Sequence, residues 1–157
     1  MKKVLISPFA QKLRNGKENP KNFPYWKELV ALMNNADIQV IQIGAGKDVP
    51  VEGVTDFRQG LKLAEIRDLV KECNTWISVD SFLQHLCAYY KFKRGIVIFS
   101  QSDPKHFGYT RNLNMLKSER YLREKQFWLW EQCDYKQEAF VTAQEVMDTL
   151  SKLLSGK

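Results

Sequence analysis

Four short apolar runs, alternating with stretches of helical potential, constrain this chain more than any other feature. Val4-Leu5-Ile6, Ile38-Gln39-Val40-Ile41-Gln42-Ile43, Trp76-Ile77-Ser78-Val79 and Gly95-Ile96-Val97-Ile98-Phe99-Ser100 are rich in β-branched residues and read as strands. Between them, Trp26, Leu29, Val30 and Met33 recur at helical spacing. Leu61, Ala64, Ile66, Leu69 and Val70 make a second amphipathic set, ending near Cys73-Asn74. Ser81 opens a third helix, and Gln84 three residues on completes a capping-box pattern. Strands alternating with helices predict βαβ units and a parallel sheet. Because the strands are apolar nearly throughout, helices are expected on both faces. The expected architecture is α/β: a Rossmann-like three-layer domain with a mainly parallel sheet. No repeat or linker divides residues 1–157, so one domain is expected.

The remaining segments are less regular. Gln11 to Pro24 is a long loop carrying Asn15, Gly16, Asn19, Pro20 and Asn22; loops of that length are usually functional or mobile. Pro50 to Gly60 reads as mixed loop with a short strand at Val54. Gln101 to Asn114 reads as a polar loop. Residues 118–157 form a helical C-terminal part, with helices expected over Ser118 to Leu129 and Ala139 to Leu154.

Composition narrows the class. With 44% hydrophobic and 27% charged residues over 157 positions, the chain is neither disordered nor collagen-like. A chain of this size buries roughly 68–70% of its extended surface and needs no metal or disulfide to fold. No apolar run approaches the ~20 residues of a membrane span, and the stretch after Lys2-Lys3 is too short for a signal peptide. Three cysteines, Cys73, Cys87 and Cys133, without a Cys-x-x-Cys pair, fit a reduced cytoplasmic protein. Twenty-four Lys and Arg against eighteen Asp and Glu leave a net charge of +6. Such an excess suits phosphates, nucleotides or nucleic acid, though a merely solvated basic surface explains it as well.

Open parallel sheets bind ligands beyond the carboxyl ends of their strands. Four loops qualify: Ser7 to Lys21, Gly44 to Lys47, Asp80 to His85, and Ser100 to Gly108. The first is basic, with Lys12, Arg14, Lys17 and Lys21. In the third, Asp80 ends a strand and Ser81 starts a helix whose free N–H groups favour an anion. His85 follows one turn later. The plainer reading makes Ser81 an ordinary N-cap and His85 a half-buried histidine, and spacing alone favours it. No Gly-x-Gly-x-x-Gly or Walker-type loop is present, and Gly44-Ala45-Gly46-Lys47 matches neither. No His/Cys cluster has zinc spacing, and no Gly-x-Ser-x-Gly elbow exists. Phe127, Trp128, Trp130 and Tyr135 lie near basic residues. Stacking on bases is one use for them; packing in a core or interface is the commoner and expected one.

Taken in order, these landmarks resemble glycosyltransferase family nine, the heptosyltransferase family, in its C-terminal nucleotide-sugar-binding half. Ile6-Ser7-Pro8-Phe9-Ala10 resembles its opening strand and Pro-small-residue loop. Lys21-Asn22-Phe23-Pro24-Tyr25-Trp26 is similar to its Lys-x-x-Pro-x-x-Trp element. Ile41-Gln42-Ile43-Gly44 resembles its strand ending in glycine, and Gly60-Leu61-Lys62-Leu63-Ala64-Glu65 its Gly-x-x-x-Leu-x-Glu helix start. Asp80-Ser81-Phe82-Leu83-Gln84-His85 matches the Asp-Ser/Thr-Gly-x-x-His signature at Asp, Ser and His, with Phe82 in place of the glycine. The likeness spans roughly residues 3–108.

The resemblance implies one half of a two-domain, GT-B type glycosyltransferase. It implies binding of a nucleotide diphosphate-sugar and glycosyl transfer to an acceptor. Lys12 and Lys21 would face the diphosphate, Asp80 and His85 would orient phosphate or sugar hydroxyls, and Glu65 would contact ribose or base. Ser7, Gly44 and Ser81 complete the expected nucleotide-sugar site. No metal or other cofactor is expected. The family's catalytic base lies in its other half and has no counterpart here, so a second copy or a partner chain is expected to supply the acceptor wall. Two other readings stand beside this one: a non-enzymatic module that binds or sequesters a nucleotide, and a nucleic-acid-modifying transferase suggested by the charge.

Overall fold

A computed structural model describes residues 1–156. The chain runs β1 (Lys2–Ser7), α1 (Trp26–Asn35), β2 (Ile38–Gly44), β3 (Asp56–Gln59), α2 (Leu63–Glu72), β4 (Thr75–Val79), α3 (Phe82–Tyr89), β5 (Ile96–Ile98), α4 (Pro104–Phe107), β6 (Leu113–Met115) and α5 (Ala143–Leu154). The strands form one sheet in the order β3-β2-β1-β4-β5-β6, every pair parallel. This is the Rossmann-like α/β arrangement. The chain builds outward from β1 to β3, then returns to β4 and builds the other way. The switch in direction falls between β1 and β4, where Ile6 pairs with Ile77 and Ser7 with Ser78.

Side chains alternate across the sheet, and each face acquires its own core. Val4, Ile6, Val40, Ile77 and Val79 pack with Trp26, Leu29, Val30 and Met33 of α1 and with Val146, Met147 and Leu150 of α5. Leu5, Ile41, Ile43, Val97 and Phe99 face Ile66, Leu69 and Val70 of α2 and Leu83 and Cys87 of α3. The helices therefore cover both faces, as the strand composition requires. Trp76 is the largest fully buried side chain. Its indole N–H donates to the Lys93 carbonyl at 3.1 Å, and Gly95 leaves room for it: a Cβ there would lie 2.2 Å from the ring.

The structure corrects five expectations. The short strand is β3 at Asp56–Gln59 rather than at Val54. The polar loop after β5 contains the one-turn helix α4 and a sixth strand, β6. Ser118 to Leu129 is not an α-helix; it holds a 3₁₀ turn at Glu119–Tyr121 and irregular chain. Phe127, Trp128 and Leu129 are exposed there, so no apolar stripe is available to anchor a helix. The second C-terminal helix begins at Ala143, preceded by a 3₁₀ turn at Gln137–Ala139. Ser81 is the N-cap of α3, yet its hydroxyl makes no capping bond, and Gln84 turns its amide to Asp80 instead of completing a capping box. Among the described residues, no helix is long and apolar enough to cross a membrane.

Candidate functional site

A cleft of about 850 Å³ opens at the carboxyl ends of β1, β2 and β4, over the switch point. Three strand-end loops build its floor. The first is the long basic segment after β1. It is ordered because its own asparagines satisfy its backbone: Asn22 Oδ1 accepts from the Ala10 N–H at 2.8 Å, Asn19 Nδ2 donates to the Gln11 carbonyl at 2.8 Å, and Asn19 Oδ1 accepts from the Lys21 N–H at 3.0 Å. Both asparagines are buried. The Trp26 indole N–H closes the loop onto the Pro8 carbonyl at 3.1 Å. Those bonds deliver Lys12, Arg14 and Lys21 to the cleft wall.

The second loop is the turn after β2. Asp48 accepts from the Ala45 N–H at 2.9 Å, and Gly46 has φ +60°. Gly44 sits where a Cβ would come 2.9 Å from the Phe57 ring, so only glycine lets the backbone pass between β3 and the cleft. Ile43, Leu61 and Ile66 make this end of the wall apolar.

The third loop is the turn from β4 into α3. Asp80 is 5% exposed and fully engaged. One carboxylate oxygen accepts from Gln84 Nε2 at 2.7 Å, and the other lies 3.4 Å from the Lys21 ammonium. This ion pair ties the β1 loop to the β4 loop across the switch point. The Ser81 hydroxyl is shielded from solvent and has no hydrogen-bond partner among the described residues. A buried hydroxyl without a partner costs about 1–3 kcal/mol, a cost that an anionic ligand at this position would relieve.

Six of the eight residues expected at a ligand site thus share one cleft: Ser7, Lys12, Lys21, Gly44, Asp80 and Ser81. Glu65 and His85 do not line it. The Glu65 carboxylate accepts from the Lys62 N–H at 3.1 Å and caps α2. The His85 ring is turned towards the loop before β6, where its Nδ1 meets the Tyr109 hydroxyl at 2.7 Å.

Trp130 and Glu131 join the wall from outside the four strand-end loops. They come from the irregular segment after β6, which folds back to the cleft. The Arg123 guanidinium lies 3.5 Å from the Trp130 ring centroid, with the Lys21 ammonium at 5.1 Å. Burial pushes the Arg123 pKa down. The paired tryptophans of Trp128-Leu129-Trp130 drew notice in the sequence, but no periodicity placed them. Among the described residues, no three His, Cys, Asp or Glu side chains come together as a metal site.

Comparison with known families and structures gives a consistent result. The model of the family described as glycosyltransferase family 9 (heptosyltransferase) matches residues 1–127. No curated protein matches the chain. Among solved structures, it is similar to the dodecameric iron-containing heptosyltransferase TibC in complex with ADP-D-beta-D-heptose, with TM-score 0.71 and 18% identity over 99% of this chain and 45% of that one. The same glycosyltransferase was also solved from enterotoxigenic E. coli H10407, with the same score and coverage. The E. coli heptosyltransferase WaaC with ADP is similar at TM-score 0.66 and 16% identity, over 97% of this chain and 44% of that one. At such identities the likeness is one of fold, and this chain spans less than half the length of those proteins.

Proposed function

The chain belongs to glycosyltransferase family 9, the heptosyltransferase family, and from that premise we propose that its cleft binds a nucleoside diphosphate-sugar as donor for glycosyl transfer. One observation carries the reading: the cleft at the switch point gathers Lys12, Lys21 and the unpartnered Ser81 hydroxyl on one wall and an apolar Ile43–Leu61–Ile66 patch on another. Cations and a free hydroxyl suit a diphosphate; the apolar patch suits a base. In the transfer, the bond between the sugar's anomeric carbon and the β-phosphate oxygen breaks. The electron pair leaves with the diphosphate, while an acceptor hydroxyl bonds to the anomeric carbon and gives up its proton. Lys12 and Lys21 would stabilise the departing diphosphate. Ser7 and Gly44 would let the ligand approach the backbone, and Asp80 would hold Lys21 in place. We assign no ligand contact to Glu65 or His85.

A second reading is binding without transfer, and the acidic groups of the wall favour it. Asp80 has both carboxylate oxygens engaged, by Gln84 and Lys21, while Asp48 and Glu131 each accept a backbone N–H, from Ala45 and Arg14, so all three already serve the fold. Transfer would then need a base from outside these three groups.

A melting screen tests the proposal, using ADP, GDP and UDP with their hexose and heptose conjugates; ADP-heptose is the natural first probe, given the neighbouring structures. A ligand at a hundred times its dissociation constant stabilises the fold by about 2.7 kcal/mol, several degrees for a chain of this size. One conjugate is expected to raise the melting temperature more than its bare nucleotide does. Lys21→Ala should weaken that ligand by about 10–100-fold, the loss of a charge-assisted contact worth about 1.5–3 kcal/mol. Silence across the panel would overturn the donor reading. Release of free nucleotide in the presence of an acceptor separates transfer from sequestration.

A further inference from the structure

The cleft wall changes character along the sheet, and the change follows the strand order. At the β3–β2 end it is apolar, with Ile43, Leu61 and Ile66. In the middle, at β1 and β4, it carries Lys12, Lys21 and Ser81. Beyond Lys21 stand Trp130 and Glu131. These last two lie outside residues 1–127, the part that the family model matches.

Their position is built rather than incidental. The segment is bonded to the chain beyond β5: the Arg123 N–H donates to the Gln101 carbonyl at 3.1 Å, and Gln126 Nε2 donates to the same carbonyl at 2.9 Å. Further on, the Tyr135 hydroxyl donates to the Asn22 carbonyl at 2.6 Å. The Arg123 guanidinium, fixed by the Gln126 and Trp128 carbonyls at 2.8 Å each, backs the Trp130 ring. Trp130 lines the cleft, whereas Arg123 does not. Glu131 is held over the first loop by the Arg14 and Asn15 contacts.

An indole beside a carboxylate is poorly suited to phosphate, since a second anion in a site for anions is repulsive. It suits a group with an apolar face and hydroxyl donors. In a nucleoside diphosphate-sugar, the base is separated from the phosphates by the ribose, whereas the transferred sugar is bonded to the terminal phosphate directly. Trp130 is a direct neighbour of Lys21, with the ammonium 5.1 Å from its ring centroid.

We propose that Trp130 and Glu131 form the sugar subsite of this cleft: the transferred sugar lies with its C–H face on the indole and donates a hydroxyl to the Glu131 carboxylate. This inference rests on the donor reading above, and it makes a segment beyond the part that the family model matches the determinant of which sugar is accepted.

The test is the ratio of two affinities, measured by calorimetry on the whole chain: the best-binding sugar conjugate of the panel over its bare nucleoside diphosphate. In Trp130→Ala that ratio is expected to fall about tenfold, and in Trp130→Phe, which keeps a flat ring, by less than about threefold. Glu131→Gln should lower the ratio from both sides, weakening the conjugate and strengthening the bare nucleotide, because a negative charge leaves the anion site. If both ligands weaken together in Trp130→Ala, the indole touches the nucleotide and the sugar subsite is overturned. An unchanged ratio overturns it equally, while the donor reading survives. If neither ligand binds the unaltered chain, the donor reading fails and takes this inference with it.

Discussion

Asp80 illustrates how one side chain can be read correctly by type and incompletely by role. Its carboxylate is the link between the two loops that define the cleft, accepting from Gln84 on one oxygen and pairing with Lys21 on the other. Exposed ion pairs contribute about 0–1 kcal/mol, but here the acid is buried and the ammonium largely so. In Asp80→Asn the amide oxygen can still accept from Gln84, while an N–H₂ group then faces the ammonium. We expect a loss of about 1–2 kcal/mol without ligand, between the surface and buried limits, seen as a melting temperature lower by several degrees. A bound diphosphate supplies the missing counter-charge, so ligand-induced stabilisation should be larger in the variant than in the parent chain. A melting temperature that does not move would place this pair with the weak surface bridges. The sequence singled out Asp80, Ser81 and Lys21 one by one, because each sits at a strand end or in a basic loop. That Asp80 serves Lys21 depends on β1 and β4 being neighbours, which no local pattern encodes.

At the scale of elements, legibility followed burial. β1, β2, β4 and β5 lie inside the sheet and carry near-continuous apolar runs. The edge strands β3 and β6 carry Asp-Phe-Arg-Gln and Leu-Asn-Met, since an edge is half solvated and often polar. Their pairing partners, not their own composition, make them strands. The same logic explains the segment from Ser118 to Leu129. Its residues have ordinary helical propensity but no face to bury, and the Arg123 and Gln126 side chains bond its backbone instead. The Trp130 turn follows directly on this stretch and stayed unplaced for the same reason. By contrast, α5 has both a buried stripe and a complete N-terminal box: Thr142 Oγ1 accepts from the Glu145 N–H at 3.1 Å, and the Glu145 carboxylate accepts from the Thr142 N–H at 3.2 Å. Thr142→Ala should cost about 1 kcal/mol. Because α5 and α1 share one core through Val146, Leu150, Leu29 and Met33, the loss should appear in global denaturation, as a lower urea midpoint at unchanged slope. A changed slope would mean that α5 frays separately from the sheet.

For the whole molecule, the buried thiols set how stability responds to alkaline pH. Cys87 lies between α3 and the sheet, 2% exposed, and burial pushes its thiol from an ordinary value of 9.0 up to about 12. Cys73, beside it in the same core, is raised for the same reason. Above pH 9 an unfolded chain loses the Cys87 proton, while the folded chain keeps it until about pH 12. The folded state then binds more protons than the unfolded one, so stability falls as pH rises through this window. Below pH 9 the contribution is present in full. Net charge acts in the opposite sense only up to the pI of 9.2, as the chain falls from +6 at neutral pH to neutrality and repulsion in the compact state is relieved; above it the charge turns negative and repulsion returns. The two effects separate by variant. Melting curves of the parent chain and of Cys87→Ala, recorded from pH 8 to 10.5, share the charge effect but not the thiol. The parent is expected to lose melting temperature more steeply above pH 9, so its advantage over the smaller Ala variant should shrink with each step. Parallel curves would show that the Cys87 thiolate meets water or a counter-charge in the fold, and that this core opens more readily than its packing implies.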